Sequence, residues 1–369
     1  MSLVKDMNKQ FGGGATTASD DAATYKNASW IDTGCFTLNK AINPRGLGLP
    51  SGNMVEFFGD SATGKSVMGY HILKETQKQD GIAVVFDIEG ALDTKLVTDI
   101  GIDLDNLIVI RPTITKKGKK GEGSKKGKKG KVDEEGKQEE DRLTPLTLSD
   151  VFSRTEWLIH EIRKQYGPDK LLNILWDTLA ATPADEDLVG DEPGLTQGAI
   201  ERHNKRWIMR IRPLVSETNT LWLILNQVFA SPNSPGDALK SPGGKAVKFH
   251  SHIRIKWKLY SGKAGKIFDE NSLPIGARLH FKVDKNRIGP PWREGHADWY
   301  FGEDGIPSLD YYGGYIEYLL ERRAIEHGQG KLIVGKDSYQ AKVDPDSKFI
   351  VCKYVDKMLA EHPELLEVK

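Results

Sequence analysis

The sequence predicts an α/β protein in which a mostly parallel sheet is covered by helices on both faces. A short helix stands in front of that core and a small α/β domain behind it. Three observations predict this. Between residues 29 and 306, apolar runs of five to eight residues alternate with stretches of helical period, the pattern of strands buried on both faces and joined by helical crossovers. Gly59-Asp60-Ser61-Ala62-Thr63-Gly64-Lys65-Ser66 fits G-x-x-x-x-G-K-[ST] between such a strand and such a helix, the context that a phosphate-binding P-loop requires. Near residue 307 the composition shifts to two helical stretches around a polar hairpin.

Taken in order, residues 1–28 hold one helical stretch, "LVKDMNKQF", followed by the flexible "GGGATTASDDAAT". The predicted strands are "GNMVEFF", "IAVVFDI", "NLIVI", "LLNILWD", "TLWLILNQ", "IRIKWKLY" and "ARLHFKV". Helices follow the first four, among them "LSDVFSRTEWLIHEIRKQY" and "AIERHNKRWIMRIRPLVSE". The last strands lie close together and predict an antiparallel extension. From 307 to 369, "GGYIEYLLERRAI" and "FIVCKYVDKMLAEHPEL" read as helices on either side of a hairpin around Gly330 to Tyr339. One segment, 115–142, is low in complexity. It places nine Lys between 116 and 131 and six acidic residues between 133 and 141. With almost nothing apolar to bury, it is expected to be disordered. It reads either as a basic arm that touches DNA or as a solvated insertion whose charge blocks neutralise each other.

Bulk properties narrow the function. With 52 basic and 52 acidic residues the chain has no net charge, so attraction to nucleic acid must come from local patches. Cys35 and Cys352 are too few and too far apart for a disulfide framework or a metal site. The start "MSLVKDMNKQ" lacks the apolar run of a signal peptide, and no run is long enough to span a bilayer. The expectation is a soluble, cytoplasmic protein.

The chemistry begins at the P-loop. Its N–H groups and the helix N-terminus converge on an anion. Lys65 would reach the β- and γ-phosphates, and the Ser66 hydroxyl would ligate Mg²⁺. Asp177 ends a buried apolar strand, where a Walker B carboxylate holds Mg²⁺; a lone Asp there can also cap a helix. Asp87 and Glu89 end the strand after the P-loop helix and are candidates to face the γ-phosphate. Many P-loop ATPases carry this glutamate directly after the Walker B Asp; here that position is Thr178. Asn226-Gln227 ends a further strand as a polar pair expected to point into the site, with Gln227 bonding the γ-phosphate.

In this order and spacing the segments resemble the RecA recombinase family, in the form carried by bacteria and their phages. The resemblance runs through "NKQFGGG", "WIDTGCFTLNKAINPRGLGLPSGNMVEFFGDSATGKS", "FDIEGALD", "ETNTLWLILNQ", "SPGGKAVKFHSHIRIK" and "KVDKNRIGPPWR". It implies a RecA-like P-loop ATPase core at 29–306 and assigns roles. Glu89 is the base that positions water. Asp93 and Pro112-Thr113 lie by the adenine, with Phe301 stacking nearby. Lys285 and Arg287 reach into the neighbouring subunit's site, where such a cation is worth about 10³–10⁵ in rate. Two loops face the filament axis, at 183–204 and 229–248. Arg202, Lys205, Arg206 and Arg210 would contact the DNA backbone after the first. Gly243, Gly244, Lys245 and Lys248 would do so at the end of the second, and Phe229 would stack on bases. The first loop also carries Asp185, Glu186, Asp187, Asp191 and Glu192, which would repel DNA unless turned outward.

The function implied is a DNA-dependent ATPase that uses ATP and Mg²⁺. It would form helical filaments on single-stranded DNA and exchange strands with a homologous duplex. Single-stranded and double-stranded DNA, further copies of the chain, and single-strand-binding and mediator proteins would be its partners. A hexameric RecA-like helicase and a protein that only coats single strands are the alternatives that the residues leave open.

Overall fold

The computed structural model describes residues 2–17, 29–115, 142–185, 197–230, 239–240, 243–260, 262–269, 271–301, 308–343, 350–351 and 354–368. We number the helices α1 (Ser2–Phe11), α2 (Phe36–Ile42), α3 (Lys65–Lys78), α4 (Thr94–Ile100), α5 (Leu148–Tyr166), α6 (Gln197–Ser216), α7 (Gly244–His250), α8 (Tyr315–Glu321) and α9 (Val355–Glu361). The main sheet contains β1 (Asn53–Gly59), β2 (Ile82–Asp87), β3 (Leu107–Ile110), β4 (Leu172–Asp177), β5 (Thr220–Gln227), β6 (Ile253–Leu259), β7 (Lys266–Phe268), β8 (Pro274–Asn286), β9 (Glu294–Tyr300) and β10 (Ser308–Asp310).

Along the sheet the order is β10-β9-β8-β6-β1-β5-β4-β2-β3, with β7 paired to β8. From β6 to β3 every neighbouring pair is parallel. From β6 outward through β8, β9 and β10 every pair is antiparallel. The parallel sheet and its antiparallel extension are as the apolar runs predict. Strand β10 lies past the composition shift at 307, so the sheet runs on to Asp310.

Alternation along the strands divides the core in two. Leu221, Leu223 and Leu225 of β5 face the layer made by α2, α3 and α4. Trp222 and Ile224 face the layer made by α5, α6 and α7. Period 2 along a strand with both faces apolar is what two helical covers demand. The second layer holds an aromatic cluster: Phe152 packs on Trp176, Trp207 and Trp222 at ring-centroid distances of 5.5, 5.8 and 5.8 Å. Trp176 is fully buried, and its Nε1 donates to Thr182 Oγ1 at 2.9 Å. That anchor precedes Asp177 by one residue.

The ends of the chain depart from expectation in places. Gly12 and Gly13 donate to the Asn8 carbonyl, and Ala15 N to the Asn8 side chain, so the first residues of the stretch read as flexible are tied to α1. In the C-terminal segment, three strands at Glu326–Gly328, Lys331–Val334 and Asp337–Gln340 form an antiparallel meander. Ile350–Val351 is a strand paired with Lys342–Val343, not the start of a helix; the β-branched pair fits a ladder better than a helical turn. The Lys-rich residues 116–141 lie outside the described residues. Positions 115 and 142, read as the ends of the disordered segment, are strand residues: Thr113–Thr115 pairs antiparallel with Arg142–Thr144.

Trp176→Ala should destabilise the protein by about 3–5 kcal/mol, the cost of deleting a large, fully buried ring. Urea denaturation followed by circular dichroism would measure it. A shift below about 1 kcal/mol would mean that the cluster does not hold the end of β4.

Candidate nucleotide site

The P-loop follows β1 at the carboxyl edge of the parallel strands, where α/β sheets bind ligands. Ala62 and Gly64 both take positive φ, +58° and +77°, which turns successive N–H groups inward as an anion-binding concavity. At Gly64 a Cβ would lie 2.4 Å from Leu279 Cδ1, so a larger residue would have to displace the buried Leu279 side chain of β8. Lys65 is 6% exposed and folds back on its own loop. Its Nζ donates to the Gly59 carbonyl and Thr63 Oγ1, both at 3.1 Å, and to the Asp60 carbonyl at 2.5 Å. Burial lowers its pKa, against the pull of Asp177, Asp60 and Glu89.

Strand register brings the other groups to this loop. Gly59 pairs with Gln227 across β1 and β5, and Asp87 pairs with Asp177 across β2 and β4. Ile88 N then donates to the Asp177 carbonyl at 2.8 Å, which sets Glu89 beside Thr178. A cavity of about 490 Å³ results, lined by Ser61–Val67, Glu89, Asp177, Thr178, Gln227 and Phe301, among others. Glu89 Oε1 accepts from Thr178 Oγ1 at 2.9 Å and from Gln227 Nε2 at 3.2 Å. Phe301 is 48% exposed at the mouth. The Asp177 carboxyl is pushed up to about 6, chiefly by burial; the Ser66 hydroxyl bonded to it acts in the opposite sense.

Two expectations about the strand tips need correction. Asp87 does not face the cavity. It is buried, its Oδ2 accepts from Arg111 Nε at 2.7 Å, and it receives Ala91 N and Leu92 N. It shapes the turn that carries Glu89. Asn226 and Gln227 do not point the same way: Asn226 Nδ2 donates to buried Glu56 at 2.9 Å, because neighbouring residues of a strand face opposite sides.

The remaining predicted residues lie elsewhere. Asp93 does not line the cavity; its carboxylate caps α4, accepting from Lys95 N and Leu96 N. Pro112 follows β3, and Thr113 opens the ribbon to Thr144; neither lines the cavity. Lys285, near the end of β8, and Arg287, just past it, close the C-terminus of α7. Lys285 Nζ donates to the carbonyls of Lys248 and Phe249 at 2.9 and 2.8 Å, and Arg287 Nη2 to that of Phe249 at 3.3 Å. Burial and the nearby Arg287, Arg254 and Arg212 bring the Lys285 ammonium down to about 8.

Both loops are shorter than expected. Residues 197–204 are already helical in α6, and 244–248 lie in α7. Arg202, Lys205 and Arg206 are exposed on α6, whereas Arg210 pairs with Glu156 at 2.9 Å. Asp185 turns to the start of α5, accepting from Thr147 Oγ1 at 2.7 Å and Ser149 Oγ at 2.5 Å. Glu186, Asp187, Asp191 and Glu192 lie outside the described residues. Phe229 begins a two-residue strand paired with Leu239–Lys240. Glu201 of α6 rests against Gly244, where a Cβ would lie 2.5 Å from its carboxyl carbon, and accepts from Lys245 N at 3.2 Å. Lys245 and Lys248 are exposed.

The sequence model of the RecA N-terminal domain matches residues 1–120 and 167–307. The chain belongs to the RecA family. Proteins named RecA from Macrococcus caseolyticus and Staphylococcus carnosus are each 25% identical to it. The first match spans 82% of this chain and 72% of the relative, the second 98% and 85%. The RecA protein of Chlamydia trachomatis serovar L2 is 28% identical over 87% of this chain and 77% of its own. As a RecA family member the chain is a DNA-dependent ATPase of recombination and repair that acts as a filament on DNA. Among the described residues no helix is long and apolar enough to cross a membrane.

The residues present fit magnesium. Ser66 and Asp177 adjoin and offer oxygen donors. Among the described residues no cluster of three or more His, Cys, Asp or Glu could hold a metal ion. Mg²⁺ needs no such cluster, since it keeps waters and leans on substrate phosphates. What the sequence left without a partner was Thr178; its place after the strand-end Asp was the available signal.

Asp177 generates a test. A carboxyl whose folded pKa exceeds its unfolded value holds an extra proton when folded, so between about pH 4 and pH 6 stability falls as pH rises. A change from 3.8 to about 6 is worth about 3 kcal/mol. Without nucleotide or divalent cation, Asp177→Asn should therefore be more stable than the parent at pH 7 and lose this slope. Urea denaturation from pH 4 to 8 checks it; a variant no more stable at pH 7 would contradict the assignment.

Proposed function

We propose that this chain hydrolyses ATP in the P-loop cavity, and that the bound triphosphate joins two copies of the protein on DNA. The observation that carries this reading is that Lys65, Ser66, Glu89, Asp177 and Gln227 line one cavity although they come from distant parts of the sequence. Lys65 leaves its loop carbonyls for the β- and γ-phosphates. Mg²⁺, held by Ser66 and Asp177, would neutralise phosphate charge. Glu89 accepts a proton from water as the water oxygen bonds the γ-phosphorus and the bond from that phosphorus to the bridging oxygen of ADP breaks. Gln227 bonds the γ-phosphate. Phe301 at the mouth stacks on the adenine, with Asp93 and Pro112-Thr113 completing the base's surroundings from outside the cavity.

Lys285 and Arg287 serve a different copy. Neither lines the cavity of its own chain, which supports a role in the neighbour's site. Hydrolysis would then depend on assembly, because an isolated subunit lacks these cations. On the axis side, Arg202, Lys205 and Arg206, with Arg210 once freed from Glu156, contact the backbone of single-stranded DNA. Gly243, Gly244, Lys245 and Lys248 do so from the second loop, and Phe229 stacks on a base. A homologous duplex is the second DNA partner.

Glu89→Gln keeps the shape and the hydrogen bonds but removes the base. ATP binding and assembly on single-stranded DNA should persist while hydrolysis drops by about 10²–10⁴. Nucleotide binding, electron microscopy and phosphate release measure the three. Turnover within a factor of two of the parent would defeat the role of Glu89.

Glu201 makes a second prediction. Its carboxylate bonds the Lys245 amide that a DNA phosphate would approach, so the two compete. Glu201→Gln should tighten single-stranded DNA binding by about threefold to tenfold, the worth of roughly 1 kcal/mol. Fluorescence anisotropy at fixed salt checks this. Weaker binding would mean that Glu201 supports the DNA loops instead of opposing their ligand.

A further inference from the structure

Glu89 is exposed at the end of a turn, and a free glutamate side chain samples many rotamers. Two donors stop that. Thr178 Oγ1 and Gln227 Nε2 both bond Oε1, at 2.9 and 3.2 Å. The two donors differ in what holds them. Thr178 is buried; its hydroxyl also accepts Ala181 N, and its carbonyl accepts Thr182 Oγ1, which in turn takes the Trp176 indole N–H. Gln227 is the last residue of β5, two positions before the strand that opens the second loop. If Gln227 turns to a γ-phosphate, it leaves Glu89 and only Thr178 remains.

We infer that Thr178 is a positioning residue for ATP hydrolysis: its hydroxyl holds the Glu89 carboxylate where the attacking water is taken up. This rests on the roles proposed for Glu89 and Gln227. A carboxylate oxygen has two lone-pair directions, and in this arrangement both on Oε1 are engaged. Departure of Gln227 opens one of them to a water O–H. Thr178 keeps the oxygen in place during that change. The residue that follows the strand-end Asp therefore orients the base from the neighbouring strand.

The test uses the full chain with Thr178→Val, Thr178→Ala and Thr178→Ser, and with Glu89→Gln as reference. ATP hydrolysis on single-stranded DNA gives kcat and KM. Affinity for a non-hydrolysable ATP analogue and the melting temperature are measured beside them. Thr178→Val and Thr178→Ala should lose about 10- to 100-fold in kcat, as expected for a misplaced reacting group, with KM and analogue affinity within about threefold. Thr178→Ser should stay near the parent. Glu89→Gln combined with Thr178→Val should be no slower than Glu89→Gln alone, because residues acting as one unit are not additive. A folded Thr178→Ala with parental kcat, while Glu89→Gln is inactive, overturns the inference and leaves the role of Glu89 intact. A double variant slower than Glu89→Gln overturns it too, since Thr178 would then act by another route. Parental turnover in Glu89→Gln removes the base and its positioning residue together.

Discussion

Three carboxylates meet where β2 and β4 end, and the rest of the site is arranged to keep them there. Asp87 and Asp177 are paired by strand register, with Glu89 two residues on. Burial pushes the Asp177 carboxyl up, and the charges of Glu89 and Asp87 add to that. The structure treats each differently. Asp87 has the Arg111 guanidinium and two backbone N–H groups. Glu89 has two neutral donors and solvent. Asp177 is the least compensated: it is buried, with the Ser66 hydroxyl and the charge of Lys65 as its support. A site so arranged favours a ligand that brings positive charge to Asp177.

A buried polar chain ties β5 to the basic tip of β8. Asn226 donates to Glu56, Glu56 accepts from Arg254 Nε at 2.5 Å, and Arg254 Nη1 donates to Asp284 at 2.8 Å. Asp284 precedes Lys285. The Arg254 guanidinium also sits 4.2 Å from the centre of the Phe58 ring. Removing one partner would leave a buried charge uncompensated, which typically costs about 3–5 kcal/mol. The network therefore holds β5, β1, β6 and β8 in one register. Gln227 and Lys285 leave this frame at opposite ends: one lines the cavity, the other closes the C-terminus of α7.

Periodicity carried most of the fold. Helix α5 spans the stretch read from the sequence, and β5 runs from Thr220 to Gln227 as its apolar run indicates. The P-loop was legible because its spacing is itself the chemistry. Less legible were the targets of side chains at strand tips. Asn226 and Gln227 look alike as a polar pair, yet alternation sends one to Glu56 and the other to Glu89. Asp87 and Glu89 share that ambiguity, resolved only by Arg111, which comes from beyond β3 and is invisible in the local pattern. Helix α6 begins at Gln197, ahead of the apolar period from which its start was judged. The strand at Ile350–Val351 depends on a partner at Lys342–Val343, and no local signal announces such a pairing.

The match to the RecA N-terminal domain breaks between residues 120 and 167, yet α5 lies within that gap, up to its last residue, and is part of the core. Val151, Phe152 and Ile159 pack into the same cluster as Trp176 and Trp222. What keeps α5 in place is local. Thr147 and Asp150 form a reciprocal capping box at its start, worth about 1 kcal/mol, and Asp185 bonds Thr147 and Ser149 from the far side of β4. The ribbon of Thr113–Thr115 with Arg142–Thr144 closes the chain just ahead of that cap. Residues 115 and 142 thus stand side by side at one closed stem, and α5 takes its position from its own cap and apolar face.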